Sequence, residues 1–213
     1  MSVPVSKSLA DIFTLTSAYS LGGVVLVGTV ATFLARVYLP SNSRSVDRYT
    51  FIWLAFDALI HFSFEGSFLY LSVFGRQVNT STGPFAAMWR EYAAADFRWG
   101  TADPTVVSLE LLTVLGAGPL CCYILHLLAL SDPARHYWIV VLCTAEIYGG
   151  WMTFCPEWLT GSPNLDTSNP LYLWVYLFFM NIIWVVIPIA LMIDSYGHIA
   201  RALRASSTKL KTN

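Results

Sequence analysis

Asp57-Ala-Leu-Ile-His61-Phe-Ser-Phe-Glu65 sets three titratable side chains at i, i+4 and i+8 inside an apolar run from about Tyr49 to Phe74. On a helix that spacing stacks them along one face. The run is long enough to cross a bilayer, which takes roughly 20 residues at about 1.5 Å each. A charge at the bilayer centre costs from about 2.5 to about 10 kcal/mol, so such groups turn toward protein or a wet cavity. One buried His alone would be a polar seam between helices. A His with a carboxylate one turn to either side reads as a functional site.

Working outward, the 213 residues are 56% apolar and only 12% charged, with a mean hydropathy of +0.58. Soluble domains carry about 25% charged residues, so the chain is expected to be an all-α membrane bundle. The net charge of −1 and the scattered basic residues give no nucleic-acid footprint. Cys121, Cys122, Cys143 and Cys155 form no metal-ligand pattern, and those inside apolar spans read as small buried hydrophobes. Neither a metal nor a cofactor is expected.

Five spans are predicted, at about 18–39, 49–74, 104–130, 136–155 and 170–194, in a single membrane domain over 1–213. The first is too long for a signal-peptide core and has no clear cleavage site after it, so it is expected to be retained. Between the second and third, Phe85 to Trp99 mixes aromatics and charges as an interfacial amphipathic helix does. With the tail cytoplasmic, Arg36, Arg44, Arg48, Arg135, Arg201, Arg204, Lys209 and Lys211 share that side, against Lys7, Arg76, Arg90 and Arg98. The positive-inside rule then sets the N-terminus in the lumen, where the sequon Asn79-Thr80-Ser81 would also lie.

Four spans carry polar groups at depth: Asp57, His61 and Glu65; Glu110 and Thr113; Glu146; and Asn181 with Trp184 one turn on. None can face lipid, so the simplest packing turns them onto one cavity. Two carboxyls, a His and a Trp in apolar surroundings suit moving a proton through a cation. Burial favours a neutral carboxyl that can act as an acid, and an indole face can stabilise a transient carbocation. Trp184 is equally readable as a packing residue, Thr113 as a hydroxyl returned to its own helix, and Glu146 as half of an interhelical pair.

Ile60-His-Phe-Ser-Phe-Glu-Gly66, Ser108-Leu-Glu-Leu-Leu-Thr113 and Phe178-Phe-Met-Asn-Ile-Ile-Trp184 resemble the three motifs of the emopamil-binding protein family, sterol 8(9)-to-7(8) isomerases with an EXPERA domain. The resemblance runs from about 49 to 194. Residues 54–62, the run 151–172 and Glu146-Ile-Tyr148-Gly look closer to the emopamil-binding-protein-like subgroup, and Asp57 belongs to that likeness. The resemblance implies a five-helix bundle of the endoplasmic reticulum membrane with a lipid-open sterol cavity. It assigns catalysis to His61, Glu65, Glu110, Thr113, Asn181 and Trp184, with Asp57, Glu146 and Tyr148 as further ligand contacts. Glu65 and His61 would form one proton relay with Glu110 at the other end, Asn181 and Thr113 would hold the carboxyls, and Trp184 would face the cation.

Where the isomerases tend to have Gln, this chain has Glu146, and an extra carboxylate can pair with His61 and hold it cationic. Two further functions therefore stay open. One is a non-catalytic binder of sterols or cationic amphiphilic amines. The other is a carbocation-based isomerase or cyclase acting on another terpenoid. Membrane lipid is the surrounding partner, and a homodimer is among the arrangements such a bundle can take.

Overall fold

The computed structural model describes residues 13–212. Lys7, counted above toward the orientation, lies outside them, as do the side chains of Lys209 and Lys211. Among the described residues the fold is all helical, with five helices long and apolar enough to cross a membrane. We number the helices α1 Leu15–Tyr38, α2 Ser45–Ser72, α3 Pro84–Ala95, α4 Pro104–Ala129 and α5 Arg135–Leu159. The last, α6, begins as Tyr172–Phe179 and continues as Met180–Thr212. It therefore runs well past Asp194, because the hydropathy boundary marks the end of the apolar stretch rather than the end of the helix.

α1 starts on a reciprocal cap, in which Thr14 Oγ1 accepts from the Ser17 N–H and Ser17 Oγ accepts from the Thr14 N–H. Pro84 and Pro104 open α3 and α4, where a missing N–H costs nothing. The core shared by α1, α2, α4 and α5 is built on the fully buried Leu54, Cys121, Ile124, Leu142 and Cys143. At the end of the bundle where α2 begins, Asp47 takes a two-pronged bond from Arg44 and lies 3.4 Å from Arg135. There the His136 and His198 rings stack at 4.2 Å.

The opposite end is roofed by α3, the helix expected over this aromatic and charged segment, and the packing gives it an inward face. It turns Trp89 and Tyr92 inward to pack against Trp99, with Trp89 and Trp99 stacked at 5.0 Å. The mixture of aromatics and charges suits an interfacial face and an inward one alike, and only the packing decides. Glu91 fastens the roof by accepting hydroxyl bonds from Thr14 (2.7 Å), Ser17 and Tyr176 (2.5 Å), so one carboxylate joins α1, α3 and α6.

A second fastening is ionic. Arg98 forks onto Asp96 at 2.9 and 2.6 Å, donates to the Thr153 carbonyl at 2.8 Å and lies 3.6 Å from Glu157. Burial works against the Arg98 charge, but the Asp96 carboxylate outweighs it and holds the guanidinium above its usual value. Glu157 is itself held by Asn164, which donates from both its backbone and its side chain.

Candidate functional site

Three of the spanning helices widen locally into a turn closed five residues back, and each widening falls at the polar constellation. The Gly66 N–H reaches the His61 carbonyl, the Gly118 N–H reaches Thr113, and the Met180 N–H reaches Val175. Such wide turns gather at functional sites. One has a local cause, since Pro119 has no N–H to offer the carbonyl four residues before it. The first two widenings pack on each other: a Cβ at Gly118 would meet the Phe62 ring at 3.0 Å and His61 Cβ at 3.3 Å. Only glycine lets α4 approach α2 this closely.

The helices enclose a cavity of about 590 Å³, lined mainly by apolar and aromatic side chains. His61, Glu65, Glu110, Thr113, Glu146, Tyr148, Asn181 and Trp184 all line it, so these sequence candidates converge on one space. Tyr148 is 64% exposed and stands at the cavity's edge. Asp57 does not line the cavity. It is fully buried behind His61.

His61, 2% exposed, has a carboxyl on each ring nitrogen: Glu65 Oε2 lies 2.5 Å from Nδ1, and Asp57 Oδ1 lies 3.2 Å from Nε2. Asp57 is braced further by Trp184 Nε1 at 2.8 Å and by the Cys121 thiol, which donates at 3.2 Å. Glu110 lies against Glu65, within hydrogen-bond reach, and accepts from Thr113 Oγ1 at 3.1 Å. The two acids sit side by side rather than at separate ends of a relay. Glu146 lies beside Asp57, yet both its oxygens are buried with no donor bonded to them. Those two observations agree if the neighbour is a carboxyl, which donates only when protonated. The polar groups therefore run Glu110, Glu65, His61, Asp57, Glu146, each beside the next.

Asn181 lines the cavity, but its amide does not hold a carboxyl. It donates to the carbonyls of Tyr176 (2.9 Å) and Leu177 (3.0 Å), in the wide turn, and to Tyr92 Oη at 3.3 Å. Burial pushes the Tyr92 phenol up, partly offset by the Asn181 bond, so Tyr92 stays a neutral hydroxyl. Trp184 offers the cavity a ring packed edge-on against Trp53 at 5.3 Å.

Sequence reasoning missed Tyr92, Cys121 and the roof aromatics Trp89 and Trp99. Their signal was the density of rings over 88–99, which composition alone assigns to an interface. Asp57, His61 and Cys121 have ligand atoms within 4.8 Å of one another. Their bonds to each other and to Trp184 already account for that clustering.

The family model of EXPERA, the EXPanded EBP superfamily, matches residues 84–195. The chain is 30% identical over 192 residues to a 3-beta-hydroxysteroid-Delta(8),Delta(7)-isomerase of Cavia porcellus, covering 87% of this chain and 82% of that protein. It is 32% identical over 195 residues to a probable enzyme of the same name from Oryza sativa subsp. japonica, covering 88% and 87%. An isomeliandiol synthase of Melia azedarach is 25% identical over 174 residues, covering 82% and 80%. A motif-bearing bundle matched over most of its length by such relatives is no isolated likeness, and this chain belongs to the EXPERA (EXPanded EBP) superfamily.

Proposed function

We propose that this protein moves a sterol ring double bond from 8(9) to 7(8). The observation that carries the reading is His61 set between two carboxyls, with the Glu65–Glu110 pair opening onto an apolar cavity. The shift adds a proton at C9, leaves a cation at C8 and removes a proton from C7, so atoms and charge balance without an outside reagent. Two adjacent carboxyls hold one proton between them more readily than two negative charges. That proton is the one donated. The Glu65 carboxylate, backed by His61, takes up the proton lost from C7. Thr113 fixes the Glu110 carboxyl, and the Trp184 ring lies where it can face the cation. Asn181 is a positioning residue that holds the wide turn and, through Tyr92, the roof. The relatives named for that isomerisation support the reaction, and the residue roles rest on the geometry alone.

The chain works as one membrane domain. The endoplasmic reticulum is the membrane this chemistry implies, with the N-terminus lumenal by the asymmetry of basic residues. Purified protein incubated in detergent with an 8(9)-sterol should yield the 7(8)-isomer by mass spectrometry. A second reading, a binder of cationic amphiphilic amines, is favoured by the buried Asp57–Glu146 pair behind His61. Saturable amine binding with no isomer formed would replace the first reading with the second.

A further inference from the structure

Glu146 ends the row of polar side chains. The residue lines the cavity, yet both its carboxyl oxygens are sealed from it, and no donor bonds them. A ligand in the cavity therefore has no route to them. The Cys143 thiol, one turn back on α5, lies close by without forming a hydrogen bond. The nearest base is His61, whose two ring nitrogens already face Asp57 and Glu65. What stands within reach of the Glu146 carboxyl is the carboxyl of Asp57.

Two neighbouring carboxyls shut away from water do not both stay charged. One proton between them removes the repulsion and makes a hydrogen bond at once. The surroundings decide which of the two keeps it. Asp57 is fully buried and accepts from Trp184 Nε1 at 2.8 Å and from the Cys121 thiol at 3.2 Å, and His61 Nε2 lies 3.2 Å from it. Donors aimed at a carboxylate stabilise its charged form. Glu146 has no such donors. The proton therefore belongs on Glu146 and the charge on Asp57.

We propose that Glu146 is a positioning residue of the site: a carboxylic acid that donates its proton to the Asp57 carboxylate and so holds the group behind His61. The pair then carries one negative charge rather than two. Asp57 meets one nitrogen of His61, and the other nitrogen backs Glu65. Glu146 thus acts on the proton-accepting carboxylate through two intermediaries and touches no reacting atom. The inference rests on the isomerase reading for its effect on turnover, whereas the place of the proton is independent of that reading.

Infrared spectroscopy of the full chain in detergent locates the proton. The difference between wild type and Glu146→Gln should show the loss of one protonated-carboxyl C=O band. Loss of a carboxylate band in its place overturns the proposal. Turnover of an 8(9)-sterol then tests the holding role. Glu146→Met fills similar space without a donor and should lose about tenfold to a hundredfold, the worth of a hydrogen bond to a charged group. Glu146→Gln offers Asp57 an amide N–H and should recover most of that loss. A space-filling role predicts that Met and Gln behave alike, so equal turnover in the two variants overturns the positioning role. Glu146→Gln keeps the shape of the side chain, so the infrared result stands even where Glu146→Met fails to fold. A wild type without turnover overturns the isomerase reading and the holding role in catalysis with it, and the infrared band alone then decides where the proton sits.

Discussion

His61 Nδ1 lies 2.5 Å from Glu65 Oε2 across a helical turn that has opened to five residues. The wide turn changes which way Glu65 points, bringing it to Glu110 as well as to His61. Glu65→Gln keeps the shape but breaks proton exchange on both sides. Turnover of an 8(9)-sterol should fall by about 10²- to 10⁴-fold, the usual contribution of general acid–base catalysis, with sterol affinity changed little. Wild-type turnover in Glu65→Gln would remove Glu65 from the relay.

Glu110 and Thr113 separate holding from transferring. Glu110→Gln should lose turnover on the same scale as Glu65→Gln. Thr113→Val removes the 3.1 Å bond to the carboxyl together with the 3.0 Å bond to the Glu110 backbone carbonyl; the first bears on catalysis, so the expected loss is about tenfold, the worth of one hydrogen bond to a charged or proton-sharing group. The double variant should be scarcely worse than Glu110→Gln alone, because the hydroxyl then has no acid to hold. Additive losses measured in such a cycle would show Thr113 acting elsewhere.

Gly118 tests the packing of one wide turn on another. In Gly118→Ala the new methyl meets the tip of the Phe62 ring, which is 47% exposed and free to swing, and His61 Cβ, which is not. Stability should hold while turnover drops by about tenfold to a hundredfold, since small displacements of a catalytic group cost that much. Gly118→Val leaves no such escape and should lose both. An Ala variant as active as the wild type would mean that the close approach is not needed.

Much of this was legible because lipid forbids polar groups from facing outward. Given five apolar runs, Glu65, Glu110, Asn181 and Trp184 had to turn toward one interior, and they do. What escaped is set by packing rather than composition. The wide turns follow from contacts between helices, and only Gly118-Pro119 in mid-span hinted at one. Asn181 seemed suited to a carboxyl, but the carbonyls of Tyr176 and Leu177, caught in the wide turn, take its amide.

Arg98, braced by Asp96, fastens the roof to the end of α5 through the Thr153 carbonyl and Glu157. Removing one member of a buried charge network leaves the other uncompensated, at about 3–5 kcal/mol. Arg98→Met should therefore lower thermal stability in detergent sharply. Arg98→Lys keeps the charge without the planar fork and should fall between the two. An Arg98→Met protein that melts with the wild type would show that the roof is held by its aromatic packing alone.

Trp184 has two functions that one substitution cannot part: its N–H holds Asp57 at 2.8 Å, and its ring lines the cavity. Trp184→Phe removes the N–H and keeps an aromatic face, whereas Trp184→Leu removes both. A cationic amphiphilic amine should lose affinity in Trp184→Leu by about 2- to 30-fold, the span of a cation–π contact worth about 0.5–2 kcal/mol. In Trp184→Phe the ring contribution survives in part, so the amine should lose less. Asp57→Asn removes the charge but leaves a carbonyl oxygen for the indole to bond. If amine affinity depends on the Asp57 charge, it should fall in Asp57→Asn even though Trp184 stays in place. A neutral sterol should bind all three variants nearly alike, since none of these groups bonds to it. Amine affinity falling equally in Trp184→Phe and Trp184→Leu would assign the effect to the N–H and its hold on Asp57, and would take the cation away from the ring.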